Sequence, residues 1–159
     1  MKNLTATLID LNKTFEAVPS ILNEIEIAAM KGKSVIQVAT QPSIVFDKLG
    51  YDVTECSDRW VISWTDPRKP STERYAKSTA WSMKALIGKF QPIRELCFSL
   101  EAEAHEAALF GSKEAQVAIP ASIDRASLRD YVTKVYPTDD VEIKKDNLAV
   151  NWDPDKDYL

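Results

Sequence analysis

The stretch that decides the fold is YDVTECSDRWVISW, residues 51–64. Alternating β-branched and apolar residues predict two short strands, and the pair Ser57-Asp58 between them predicts a tight hairpin turn. A second stretch, DDVEIKKDNLAVNW at residues 139–152, follows the same pattern and also ends in tryptophan. The chain is therefore expected to contain two antiparallel hairpins of similar design.

The segments that precede the two hairpins also match. IEIAAMKGKSVIQVA (25–39) aligns without gaps on AHEAALFGSKEAQVA (104–118), so that Gly32 falls on Gly111 and Met30 on Leu109. Apolar residues at helical spacing followed by glycine predict a helix with a glycine cap, and the residues after the glycine predict a strand. Two matching blocks in the same order indicate a structural duplication. The alternative is that both halves follow the same local rules for helix caps and hairpins.

The predicted fold is α+β, with two tandem copies of a helix-helix-strand-helix-strand-strand module. Each copy is expected to be a small three-stranded sheet covered by helices, at 1–68 and 69–159, with the two copies packed as one compact unit. Helices are predicted over 4–17, 18–31, 41–50 and 71–89, and within 122–136 with Ser122 or Asp124 as the cap. A further helix is predicted to begin at Pro92, and its buried face is expected to consist of Ile93, Leu96, Leu100, Ala104 and Ala107. The other strands are predicted at 34–39 and 114–119, and the second hairpin turn at Asp146-Asn147.

Composition excludes several classes of protein. The 159 residues are 45% apolar and 28% charged, with a formal net charge of −4, which is typical of a globular domain and gives no argument for nucleic acid. No leader and no apolar run near 20 residues are found, so neither secretion nor a membrane span is expected. The cysteines, Cys56 and Cys97, lack the spacing of a zinc site. Two reduced thiols are expected, with a single disulfide as the alternative.

The segments AAMKGKSVIQV (28–38) and LGYDVTECSDRWVISW (49–64) resemble a module of small tailed-phage proteins, which often carry a Gly-Tyr-x-Val strand and an Ile-Ser-Trp strand. The resemblance covers residues 18–64 well and the second copy loosely, where Asp139 replaces Tyr51 and VNW replaces ISW. It implies a phage origin, with the protein in the host cytoplasm or in the virion. The module carries no catalytic residues, so the resemblance transfers no active site.

Few residues of the sequence are arranged as in a catalytic site. The only histidine, His105, follows Glu101 by one helical turn, and such a pair can do acid–base work when it is desolvated. Helical glutamates near it are more typical of a solvated face than of a cation site. No glycine-rich phosphate loop is present. We therefore expect no catalytic residues, no metal and no cofactor, and an enzyme acting through His105 or Glu103 is the least favoured class.

Charge is distributed unevenly along the chain. Residues 59–94 hold 8 basic and 2 acidic side chains, whereas residues 95–159 hold 7 basic and 14 acidic ones. A basic helix face with an embedded tryptophan can grip phosphates, stack on a base or dock an acidic protein. It can equally consist of lysine stems covering a half-buried Trp81, or pair with the acidic third within the chain or between subunits. The candidate partner-binding residues are Arg68, Lys69, Arg74, Lys77, Trp81 and Lys84.

These observations favour a non-enzymatic protein that acts by protein–protein contact. It is expected to be a virion component or an early inhibitor of a host factor, so that its partner is a phage structural protein or a host protein. Association of several copies of this chain into a homo-oligomer is a further alternative. The alternative is a nucleic-acid or nucleotide binder that uses the basic face of the 71–89 helix, and it predicts an affinity that falls with salt.

Overall fold

A computed structural model describes residues 3–64 and 80–152, and the chain divides into two compact units, residues 1–88 and 89–159. The predicted boundary between residues 68 and 69 lies outside the described residues. Helices and two three-stranded antiparallel sheets make up the described parts, which confirms the predicted α+β class. The first unit contains α1 (Leu4–Glu16), α2 (Val18–Met30), β1 (Val35–Val38), α3 (Val45–Lys48), β2 (Asp52–Cys56), β3 (Arg59–Ser63) and α4 (Ala80–Lys89, which ends at the boundary). The second contains α5 (Gln91–Leu109), β4 (Glu114–Ala118), α6 (Arg125–Val135), β5 (Val141–Ile143) and β6 (Asn147–Asn151).

In the first unit the hairpin strand β3 lies at the centre of the sheet, in the order β1-β3-β2. Ile62 pairs with Ile36 on one side and with Val53 on the other, so one face of the sheet carries branched apolar side chains. The predicted turn at Ser57-Asp58 is confirmed, and Ser57 takes the positive φ of 53° that such a short turn requires.

The second sheet has the order β4-β6-β5, again with the last strand at the centre. The predicted turn at Asp146-Asn147 was wrong in its position. Asn147 already belongs to β6, where it pairs with Ala118, and its carbonyl accepts a hydrogen bond from Lys144 N at 2.8 Å. The turn therefore covers residues 144–146, because pairing with β4 holds Asn147 in the strand.

The helices that precede the first strand of each sheet end in the same way. Gly32 and Gly111 have φ of 85° and 87°, a conformation in which a residue with a Cβ would be strained. In the first unit Lys33 N donates to Ala28 O at 2.9 Å, and the corresponding bond in the second unit is also 2.9 Å. Both predicted glycine caps are confirmed. Common descent of the two halves stays a prediction, because the same local rules also produce identical caps.

The remaining helices agree with prediction in place and differ in length. The helix predicted over 41–50 forms only at Val45–Lys48, and Gly50 ends it with a φ of 95°. In α6 the cap is Asp124 rather than Ser122: its Oδ2 accepts from Ser127 N at 3.2 Å and from Ser127 Oγ at 2.6 Å. These bonds hold the pKa of Asp124 below its usual value. Of the predicted 71–89 helix, the part before Ala80 lies outside the described residues.

The core of the first unit is built around Tyr51, which has no exposed surface. Its ring packs edge-on against Phe46 at 5.8 Å and against Trp64 at 6.4 Å. Burial raises the pKa of the Tyr51 hydroxyl above its ordinary value. Three half-buried side chains of α4 also pack against this cluster: Met83, Leu86 and Ile87.

The second unit buries one half of α5. Ile93, Leu96 and Leu100 are buried, as predicted, and Phe90 lies against Tyr131 with ring centroids 5.9 Å apart. The prediction of a continuous buried face was wrong at its C-terminal end. Ala104 and Ala107 are only partly buried, and Ala104 lines an open pocket between this end of α5 and the sheet.

Candidate functional site

An open pocket of about 480 Å³ lies between the C-terminal half of α5 and the apolar face of the second sheet. Its volume is in the range of sites that bind a ligand or a group of apolar side chains. Polar groups from Glu101, His105, Tyr136 and Asp139 line it as well. The apolar lining consists of Leu100, Ala104, Ala108, Val141, Val150 and Trp152.

The pocket lies at the place where the first unit holds a buried aromatic ring. Asp139 occupies the position that Tyr51 holds in the aligned first half; Tyr51 stands directly before β2, and Asp139 stands two residues before β5. Tyr51 is fully buried, whereas Asp139 is exposed and leaves the space open. A short carboxylate cannot fill the volume of a phenol ring, and it gains from remaining in water.

The end of α5 beside the pocket exposes large apolar side chains. Leu109 and Phe110 are each 85% exposed, whereas Met30, at the position that aligns with Leu109, is 0% exposed. Lys31 aligns with Phe110, so the first half has a charged residue where the second half exposes an aromatic ring. The pocket together with Leu109 and Phe110 is called the open face below.

The polar groups of the pocket are partly engaged with one another. Tyr136 Oη donates a short hydrogen bond of 2.6 Å to Glu101 Oε1. Burial and this bond raise the pKa of the Tyr136 hydroxyl, so the phenol remains protonated. Beneath it Cys97 is a buried free thiol whose pKa burial raises to about 12, while Cys56 is a free exposed thiol. The alternative of a disulfide is therefore wrong for this structure.

The two tryptophans that end the hairpins have different surroundings. Trp64 is 4% exposed and belongs to the core of the first unit. Trp152 is half-buried and lines the open pocket. A tryptophan at the edge of an apolar pocket is well suited to anchor a partner, because it offers a large rigid surface at low entropic cost.

The six predicted partner-binding residues are not assembled into a site by the described residues. Arg68, Lys69, Arg74 and Lys77 lie outside them, and so does the side chain of Trp81. Lys84 is exposed on α4. The basic face and the nucleic-acid alternative stay predictions.

Of the two residues weighed for catalysis, His105 and Glu103, only His105 lines the pocket. Both side chains are exposed. Within residues 3–64 and 80–152, no group of three or more metal-ligating side chains converges. In the same part of the chain, no helix has the length and apolar character needed to cross a bilayer.

The open face was missed in the sequence, although two signals pointed to it. The first is Asp139 at the position of Tyr51, which departs from the tailed-phage pattern and replaces a large ring by a short carboxylate. The second is the pair Leu109-Phe110 at the end of a helix whose aligned counterpart places lysine at the second position. Comparison with protein-family models, with curated proteins and with solved structures gives no match.

Proposed function

We propose that the protein acts by protein–protein contact, without catalysis, and that the open face of the second unit is its docking surface. The observation that carries the proposal is the exposure of Leu109 and Phe110, 85% each, beside an unfilled apolar pocket. Leu109 and Phe110 directly follow Ala108, which lines the pocket, and exposed apolar side chains near an apolar pocket are typical of interaction sites on folded domains. Trp152 supplies the aromatic anchor on the sheet side.

The shape of the surface favours a helical partner. Ala104 and Ala108 are four residues apart on α5, so their small side chains form a shallow groove along one face of the helix. An amphipathic helix places apolar side chains at this same spacing into such a groove. Glu101 and Asp139 line the pocket, so the partner's flanking residues are expected to be neutral or basic.

The setting we propose is a tailed phage, in the virion or in the host cytoplasm, with the protein as a virion component or an early inhibitor of a host factor. This part is supported by the resemblance of residues 18–64 to phage proteins. The absence of catalysis is supported by the pairing of Tyr136 with Glu101, which leaves fewer polar groups of the pocket available for a substrate.

The test compares three tagged chains in pull-downs from the lysate in which the protein is naturally made. Ala108→Arg places a long charged side chain in the pocket, and Ala102→Arg places the same side chain on an exposed position of α5 outside the lining. A partner captured by wild type and by Ala102→Arg, and lost with Ala108→Arg, is the expected result. Capture that is equal for all three chains would refute the open face as the docking surface.

A further inference from the structure

Helix α1 carries an apolar stripe that no described residue covers. Leu4, Leu8, Leu11 and Phe15 are 74%, 50%, 49% and 52% exposed. At 3.6 residues per turn these four side chains lie within about 60° of one another around the helix axis. Four large apolar side chains aligned on an exposed helix are unusual on a protein surface and mark a contact site.

The orientation of α1 turns the stripe outward. No residue of the helix is buried, and its partly buried residues, Ala6 and Asp10, lie on the side away from the stripe. A helix of 13 residues is marginal in water without tertiary packing. The length, apolar pattern and orientation of α1 are therefore those of a helix that is stabilised when its stripe packs against another surface.

Helix α4 has the same place in the predicted second copy as α1 has in the first, because α4 precedes α5 as α1 precedes α2. In the structure α4 packs Met83, Leu86 and Ile87 against the core of the first unit. That core includes Ile25, Tyr51 and Trp64. In the sequence alignment of the two halves these residues correspond to Ala104, Asp139 and Trp152, which line the open pocket of the second unit. The core of the first unit is thus covered by α4, whereas the open face of the second unit has no such helix among the described residues.

We infer that α1 of a second copy of this chain docks on the open face, so that two copies exchange their α1 helices in a two-fold dimer. Exchange between two copies covers both stripes and both open faces at once, and for this reason we assign the contact to a second copy. The inference rests on the proposed function and names the partner of the same site.

The area of the exchanged contacts suits a stable dimer. A helix of 13 residues is about 20 Å long and about 13 Å across at its solvent-accessible surface. Half of the lateral surface of such a cylinder is roughly 400 Å², and docking along the stripe covers about this area on each of the two surfaces. Two-fold symmetry repeats the contact. The two contacts together bury on the order of 1,600 Å², the size of a standard specific interface, whereas one alone falls among weak encounters.

The polar residues that flank the stripe fit the acidic pocket. On one side of the stripe Thr7 and Thr14 are neutral, and their hydroxyls already donate within the helix, to Asn3 O at 3.1 Å and to Leu11 O at 2.8 Å. Burying these two side chains at an interface leaves neither hydroxyl without an acceptor. The carboxylate of Glu16 lies well to one side of the stripe, so the docked helix does not press it against the pocket carboxylates.

The test is sedimentation velocity of the full chain from low to high micromolar concentration. The wild type is expected to form a dimer of twice 17.9 kDa. Leu8→Glu is expected to weaken the dimer by more than about tenfold, because a charge replaces a central apolar anchor. Lys13→Glu, on the opposite side of α1, is expected to leave it unchanged. Circular dichroism of each variant verifies that the fold is retained.

Ala108→Arg against Ala102→Arg gives the matching pair on the pocket side. A wild type that stays monomeric at every concentration overturns the inference, and so does a dimer that Leu8→Glu and Ala108→Arg leave unchanged. If the chain is monomeric while pocket-dependent capture of a partner persists in the pull-down, the second-copy inference fails and the proposed function stands. If Ala108→Arg changes neither experiment, both fail.

Discussion

Replacing Tyr51 by alanine removes the ring that distinguishes the closed first unit from the open second one. Tyr51 is 0% exposed and makes edge contacts with Phe46 at 5.8 Å and Trp64 at 6.4 Å. Truncating a buried aromatic residue to alanine costs about 3–5 kcal/mol, and edge-on ring pairs contribute about 0.5–1.5 kcal/mol each within that total. We expect Tyr51→Ala to lower the free energy of unfolding of the first unit by about 4 kcal/mol.

The assay is equilibrium unfolding in urea, followed by tryptophan fluorescence and far-ultraviolet circular dichroism. With a urea dependence of about 1.5 kcal/mol per molar, a loss of about 4 kcal/mol lowers the midpoint by roughly 2–3 M. Asp139→Ala is the matched change in the second unit. Because Asp139 is exposed, we expect its replacement to alter stability by less than about 0.5 kcal/mol. A small effect at Tyr51, or an equal effect at both positions, would refute the account of why the pocket is open.

Three further predictions follow from the described side chains. Cys56 is exposed and Cys97 is buried with its pKa raised to about 12, so a thiol reagent should label one cysteine rapidly in the native chain and both in denaturant; rapid labelling of both contradicts this placement. Asp124 has a lowered pKa because Ser127 donates to it, so its stabilising effect is present above its unfolded pKa and is lost as pH falls through the folded one; Asp124→Asn should keep the cap and flatten the acid limb of a stability–pH profile, and an unchanged limb would exclude this role. Asp139→Tyr should fill the pocket and abolish pocket-dependent partner capture, whereas undiminished capture would show that the partner binds elsewhere.

Local features of the chain were readable from the sequence. The glycines that end α2 and α5 and the Ser57-Asp58 turn depend on the conformations allowed to one or two residues, and these are confirmed. The order of helices and strands follows from the hydrophobic period, and it gives the α+β class. The second hairpin turn was misplaced because pairing of Asn147 with β4, a contact distant in sequence, decided where the strand begins.

The site was not readable in the same way. Whether Ala104 is buried depends on whether a ring from residue 139 reaches it, which is a property of packing between α5 and the hairpin rather than of either segment. The alanine-rich C-terminal ends of α2 and α5 align in sequence, yet Met30 is buried in α2 whereas Leu109, at the matching position of α5, is exposed. The charge pattern favours residues 68–84 as the binding surface, whereas the open apolar surface among the described residues belongs to the second unit.

The most direct test of the docking account mixes two variants that each lack one side of the contact. Leu8→Glu has an intact pocket and a defective α1, whereas Ala108→Arg has an intact α1 and a defective pocket. Labelled Leu8→Glu is titrated with Ala108→Arg, and separately with the chain that carries both substitutions, and fluorescence anisotropy is recorded. We predict saturable binding with the single variant, since one contact is restored, and no binding with the double variant. Equal responses to both titrants would contradict the docking of α1 on the open face.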